Sequence, residues 1–278
     1  MKNTKLTFQW IRNLTEVTQT LLRNTPRIWE LARFQFSIMY RDANLDMLWA
    51  ILSPLTQIGV YWFVFSIGLR YTGTMGEYPY LVWMVCGIVA WNLLSKAVLT
   101  GAGELRAQKG LISKVSIPPY LLLASKEMAL FINSIPMTLI MFLLMWRNGW
   151  RPDIFAWNLL YYILCSVCFG MASSMLFSVL TLMANDFRRF LQAALRVIFF
   201  LTPIIWNPKG DMPQWFQIMR KVNPFDYIVW GYRNSLLYHM NFWENMQGLL
   251  AFWILTLAMY AIGCQWQSRV REGIADFL

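Results

Sequence analysis

Charge is scarce in this chain. Only 14% of its 278 residues are Asp, Glu, Lys or Arg, where a soluble domain carries about a quarter. That shortage excludes a water-solvated globular fold. Acidic residues number 14, and none lies near the middle of an apolar stretch, the depth at which ion-coupled carriers keep ionisable or broken-helix sites. A self-powered carrier is therefore disfavoured. There is no G-x-x-x-x-G-K-[ST] phosphate loop, so ATP is not bound and hydrolysed by that means on this chain. Histidine occurs once, at His239, with no second ligand at i+4 and no H-E-x-x-H or paired-acid spacing. A membrane enzyme would have to be built from His239 with Asp226 or Asp211. Cys86, Cys165, Cys168 and Cys264 all fall inside or at the ends of apolar stretches. The C-x-x-C at 165–168 reads as a buried pair of small apolar side chains rather than a redox centre.

What the chain has in abundance is apolar and aromatic surface, 58% and 17% of residues. A transmembrane helix needs roughly 20 mainly apolar residues to cross about 30 Å of hydrocarbon. Six stretches qualify, near 47–69, 79–98, 119–146, 157–183, 190–206 and 248–267. The expected fold is all-α, a polytopic membrane protein of one domain over residues 1–278. It comprises a cytoplasmic segment at 1–46, the six-span region at 47–267 and a tail at 268–278.

The net charge of +10 could point to nucleic acid, but its distribution points to a membrane. Basic residues crowd the segment before span one (Lys2, Lys5, Arg12, Arg23, Arg27, Arg33, Arg41), the loops after spans two and four (Arg106, Lys109, Lys114; Arg188, Arg189) and the tail (Arg269, Arg271). The other side has half as many, and four of those lie in one long loop. By the positive-inside rule both termini are expected in the cytoplasm. The first 46 residues are polar and show no cleavable signal, so span one is expected to direct insertion.

Three segments outside the spans carry pattern. From Arg27 to Asp42, Arg27, Glu30, Arg33, Ser37 and Arg41 fall on one helical arc and Ile28, Trp29, Leu31, Ala32, Phe36, Ile38 and Met39 on the other. This describes an interfacial helix, either a simple anchor or a lever joined to span one. In the loop after span two, glycines and Pro118-Pro119 bracket a short polar helix around Gly103 to Ser113, of a length and charge suited to a cleft in another protein. Between 207 and 247 the chain is too apolar for a solvated linker. "MPQWFQIMRKV" and "NPFDYIVWGYRNSLLYHM" each read as a short amphipathic helix, either re-entrant and covered by protein or flat on the surface.

These residues resemble the transmembrane subunit of ABC exporters of the polysaccharide and teichoic acid type, over essentially the whole chain. The matching patterns are "NLDMLWAILSPL" at 44–55, "LISKVSIPP" at 111–119, "NDFRRFLQAALRVIFFLTPIIW" at 185–206 and "VNPFDYIVWGYR" at 222–233. Two positions depart from the family pattern. Asp46 replaces a usual glycine, and Asn185 a common arginine, which leaves Arg188 and Arg189 as charge partners for Asp186. "LTQIGVYWFVFSIGLR" and the tail "RVREGIADFL" look most like teichoic acid translocation permeases.

The resemblance implies a homodimer in a bacterial plasma membrane, joined by two ATPase subunits that hold ATP and Mg²⁺ and exporting an undecaprenyl-diphosphate-linked polymer. Wall teichoic acid is the expected cargo, with O-antigen or capsular glycan as the alternative and an envelope-synthesis enzyme or scaffold as the reading from another class. The 103–113 helix would couple to the ATPase through Glu104, Arg106, Lys109 and Lys114. The 27–42 helix would be a gate helix presenting Arg27, Glu30, Arg33 and Arg41, and the 207–247 pair would re-enter at the outer mouth.

A path for such a polymer needs flat aromatic faces and a few polar groups that release as readily as they bind. Gln57, Tyr61, Trp62 and Phe65 on span one, with Phe199, Phe200 and Trp206 on span five, are expected to line it, unless they are packing or interface anchors. Arg196 lies about two turns into span five, where a cation must face a cavity, an acid or a phosphate, or else snorkel.

Overall fold

The computed structural model describes residues 2–40, 48–64, 73–75, 77–112, 117–184, 186–208 and 212–272. Among the described residues the fold is all-α apart from one short antiparallel hairpin, β1 (Thr74–Met75) with β2 (Tyr78–Pro79). Helix α4 (Tyr80–Ala107) is its axis. The helix is apolar all round, and 83% of its most hydrophobic window is buried, as expected of a helix surrounded by others. Around it stand α6 (Pro119–Arg147), α7 (Asn158–Met183, entered through a 3₁₀ turn at Ile154–Trp157) and α11 (Met246–Glu272). The most extensive packing is α4 on α7, then α7 on α11 and α4 on α6. In α6 and α11 only 28% and 33% of the apolar window is buried, which leaves broad apolar faces of both helices for lipid. Pro119 starts α6 at a position where its missing N–H costs nothing, and Gly149, at φ +88, turns the chain out of it.

These four helices are long and apolar enough to cross a membrane, and they match spans two, three, four and six. Of the expected span one, residues 48–64 are described and hold α3 (Trp49–Trp62). The expected span five corresponds to the shorter α8 (Phe187–Leu201), 15 residues, about 22 Å at 1.5 Å per residue. Helix α8 stops because Pro203 cannot continue it and the residue before a proline is pushed into extended backbone; Thr202 sits at ψ 130.

The polar N-terminal segment forms two helices, α1 (Lys2–Arg23) and α2 (Thr25–Ile38). Helix α1 was not anticipated from hydropathy. It lies on the last turns of α11, where Asn13 Nδ2 donates to Gln265 Oε1 at 3.0 Å and the Thr18 and Tyr260 hydroxyls meet at 3.0 Å. Helix α2 corrects the picture of a helix with one polar and one apolar arc. Its buried face, Ile28, Ala32 and Gln35, packs on α6, and Gln35 Nε2 donates to Ser125 Oγ at 2.9 Å. Of the expected apolar arc, Ile28 and Ala32 turn inward while Trp29 and Ile38 stay exposed. Arg27, Glu30 and Arg33 are exposed as expected, whereas Arg41 and Asp42 lie outside the described residues.

The loop after span two also differs from expectation. Helix α4 runs on through Ala107, so Gly103 to Ala107 are its last turn, followed by the one-turn α5 (Lys109–Ile112). The loop between α8 and α11 holds α9 (Gln214–Val222) and α10 (Pro224–Leu236), the two short amphipathic helices. The Asn223 side chain caps α10 by accepting from Phe225 N at 3.0 Å.

Candidate functional site

One face of each of three helices converges on a groove. Along α8, Gln192, Leu195, Arg196 and Phe199 recur at i, i+3, i+4 and i+7 and so form a single stripe. Trp91, Ser95 and Leu99 repeat every four residues on α4, with Lys96 beside them. Gln57 and Tyr61 do the same on α3. Together with Phe200 these side chains line a cavity of about 360 Å³. Helix α3 is pinned to α4 here by Asn92 Nδ2, which donates to Gln57 Oε1 at 3.0 Å. The Trp91 ring is held between Phe199 at 5.3 Å and Phe225 at 5.0 Å.

A second cavity, of about 810 Å³, continues from the first towards the N-terminal end of α8. Leu99 and Gln192 line both, so the two form one course along α8. Basic side chains mark it throughout, with Arg196 and Lys96 in the upper part and Arg106, Arg188 and Arg189 in the lower. Asp186 is the one acid among its described lining residues, and Arg189 Nη1 engages it at 3.1 Å. Arg188 crosses Gly103 so closely that a Cβ there would stand 2.9 Å from its Nε. The result is a positive track with aromatic walls, whose clustered and exposed basic side chains raise the local potential for an anion.

The far end of α8 is fixed by an arginine that sequence reasoning counted only as a loop charge. Arg233, on α10, is fully buried. Its Nη1 and Nη2 donate to the Pro203 and Ile204 carbonyls at 2.6 Å each, and its Nε donates to the Trp83 carbonyl at 3.2 Å. Its guanidinium carbon sits 3.3 Å from the Trp83 ring centroid. The Pro203 and Ile204 carbonyls follow the end of α8, where no helical N–H reaches them, and a planar fork of donors suits both at once. Asn223 Nδ2 adds a bond to Thr202 Oγ1 at 3.0 Å, and the Tyr80 hydroxyl donates to the Ile205 carbonyl. The stretches "TPIIW" and "VNPFDYIVWGYR" are thus one structural unit. Gly87 makes room for it, since a Cβ there would meet Arg233 Nη2 at 2.4 Å.

Five of the side chains expected on a substrate path, Gln57, Tyr61, Arg196, Phe199 and Phe200, are brought together in the groove. Trp62 is exposed elsewhere on α3, and Trp206 folds back so that its Nε1 donates to the Phe200 carbonyl at 3.0 Å, near Phe216. Phe65 and Lys114 lie outside the described residues, as do Asp46 and Asn185. Arg106 and Lys109 are exposed at the end of α4 and on α5. Glu104, expected on that surface, is instead 3% exposed; Lys126 Nζ reaches it at 3.5 Å and Gln108 Nε2 at 3.3 Å. It faces inward because α4 continues past it and turns it towards α6.

Beside Lys126, Glu127 is buried and accepts from Ser174 Oγ on α7. His239 contacts Asp153, while Asp226 pairs with Arg220 at 3.2 Å, so the candidate enzymatic histidine and Asp226 are not together. Among the described residues no group of three or more His, Cys, Asp or Glu could hold a metal ion.

Residues 26–237, from the first turn of α2 to the end of α10, match the ABC-2 type transporter family. The chain belongs to that family. Relatives of this ABC-2 type chain include two O-antigen export system permease proteins, RfbA, of Klebsiella pneumoniae. They are 23% and 25% identical over 247 residues, covering 87% of this chain and 90% of each relative. The O-antigen export system permease protein RfbA of Myxococcus xanthus is 23% identical over 254 residues, 88% of this chain and 93% of its own length. The similarity is low in identity but nearly full in length, so it spans the groove and the Arg233 unit alike.

Proposed function

We propose that this ABC-2 type chain is the membrane subunit of an ATP-driven exporter of a lipid-linked polysaccharide, and that the groove between α3, α4 and α8 is the path of its charged, sugar-bearing cargo. The observation that carries the reading is the line of basic side chains, Arg188, Arg189, Arg106, Lys96 and Arg196, leading into walls made by Tyr61, Trp91, Phe199 and Phe200. A lipid diphosphate needs cations at membrane depth, and the glycan behind it needs aromatic faces that bind weakly. The O-antigen export relatives favour an O-antigen-type glycan. The polyol-phosphate cargo expected from the opening segment would use the same cations.

In this reading α3 and α8 complete six crossings, α9 and α10 re-enter from the outer side, and both termini are cytoplasmic. The groove opens on α3 and α8 surfaces that expose Trp49, Val60, Val197 and Phe200, and a second copy of the chain would close it. Two ATPase subunits would dock where Arg106 and Lys109 are exposed, with ATP and Mg²⁺ held there, and α2 would move as a gate against α6. ATP binding can shift the groove between states only through a difference in affinity for them, so contact at α5 must depend on nucleotide.

The test is depletion of the chain in its native cells, followed by isolation of the lipid-linked polymer held on the inner face. Accumulation of a diphosphate-linked glycan supports the reading, a polyol-phosphate polymer changes the cargo, and no accumulation refutes export. Arg196→Gln and Lys96→Gln should each reproduce part of that accumulation while the complex still assembles.

A further inference from the structure

The end of the bundle opposite α1 holds a cavity of a different character. Helices α9 and α10, the 242–245 turn and the start of α11 enclose about 570 Å³, within the ~300–1,000 Å³ range of pockets that hold small ligands. Trp230 provides an aromatic wall, and its indole N–H is buried without a hydrogen-bond partner among the described residues. The ring is not free to turn away, because it stacks on Tyr238 at 6.0 Å and meets Trp83 edge-on at 6.3 Å. Arg220 lies over the same ring at 5.4 Å while its Nε holds Asp226 Oδ1 at 3.2 Å, so a guanidinium paired with a carboxylate is fixed beside the indole. Asn234 and Glu244 face the cavity from neighbouring elements. No hydrogen bond engages the Asn234 side-chain amide among the described residues.

This lining has the chemistry of sugar recognition. A pyranose presents a C–H patch that lies on an aromatic face and a rim of hydroxyls that planar carboxylate, amide and guanidinium groups bind in pairs. Among the described lining residues acids and bases are balanced, Asp226 and Glu244 against Arg220 and Lys221, unlike the basic groove. A diphosphate would find no net attraction, and an acyl chain would have to desolvate the charged groups. We propose that the pocket is a glycan-binding subsite that takes a short oligosaccharide segment, with the sugar face on Trp230 and its hydroxyls on Asp226 and Asn234. The proposal rests on the reading of the chain as a polysaccharide exporter, in which this end is the exit side.

The test uses the full chain with its ATPase partner in nanodiscs and saturation-transfer NMR. The probes are tetrasaccharides from mild hydrolysis of bacterial O-polysaccharides, with pyrophosphate as competitor. At least one tetrasaccharide should bind and pyrophosphate should not displace it. Asn234→Ala, which disturbs no bond of the fold, and Asp226→Asn should each weaken binding about fivefold, the value of one hydrogen bond. Trp230→Phe, which keeps the aromatic face but removes the N–H, should weaken it less than Trp230→Ala. Absence of binding by every tetrasaccharide, unchanged binding in both Asn234→Ala and Asp226→Asn, or displacement by pyrophosphate would overturn the subsite. Deleting the chain's gene separates the two readings. Lost surface glycan with no tetrasaccharide binding sinks the subsite alone, whereas unchanged surface glycan sinks the exporter and leaves any binding lost in the variants as a sugar site.

Discussion

Replacing Arg233 by Met is the sharpest perturbation the fold offers. The native guanidinium makes three hydrogen bonds to backbone carbonyls and stacks on Trp83. Each bond from a charged donor contributes about 1.5–3 kcal/mol, offset by the several kcal/mol needed to strip water from the buried cation. Met fills similar space but leaves the Pro203 and Ile204 carbonyls without these donors, at about 1–3 kcal/mol each if they stay dry, while the Trp83 carbonyl, inside α4, keeps its helical bond. The net loss should be about 3–5 kcal/mol. Arg233→Lys should fare little better, because a compact ammonium cannot span three acceptors and remains buried with its charge. In detergent, thermal unfolding of the full chain followed by fluorescence-detected size exclusion should show a fall on the order of 10 °C for both variants. A Lys variant that melts with the parent would mean that charge alone, not the fork on the end of α8, holds this corner. A Met variant that does so would refute the network altogether.

Gly231→Ala would place a Cβ 2.2 Å from the Tyr162 ring, which Tyr161 and Tyr227 hold from both sides; overpacking should cost about 1–3 kcal/mol in the same unfolding assay. Gln35→Met should be nearly neutral, under about 1 kcal/mol, because Gln35 Oε1 has no partner among the described residues and Ser125 Oγ keeps its bond to the Leu122 carbonyl. Charge reversal at both Arg106 and Lys109 should leave basal ATPase activity of the complex intact while abolishing its stimulation by lipid-linked glycan; unchanged stimulation would remove α5 from the coupling surface.

Hydropathy made α4, α6, α7 and α11 legible because each is a long apolar run whose pattern needs no knowledge of its neighbours. The two short helices α9 and α10 were legible for the same local reason, with prolines marking their starts. Helix α1 was not, since its stability comes from packing on α11 more than 240 residues away rather than from an apolar run. Glu104 was misplaced because a glycine-flanked polar stretch reads as a separate surface helix, whereas α4 runs on and carries it inward to Lys126. In the groove, Gln57, Tyr61 and Arg196 stood out as polar or aromatic groups in apolar helices. Lys96 did not, because only the crossing of α4 and α8 brings it to the groove that Arg196 lines. Arg233 could have been found by asking what a lone arginine does at the end of an aromatic-rich helix, a position where burial demands several acceptors.

The most direct measurement is photocrosslinking in living cells. With p-benzoylphenylalanine at Tyr61 or Phe200 in the groove, and at Leu143 on the outward face of α6 as control, the account predicts adducts bearing lipid-linked glycan from Tyr61 and Phe200 and none from Leu143. Equal adducts from all three positions, or glycan captured only at Leu143, would contradict it.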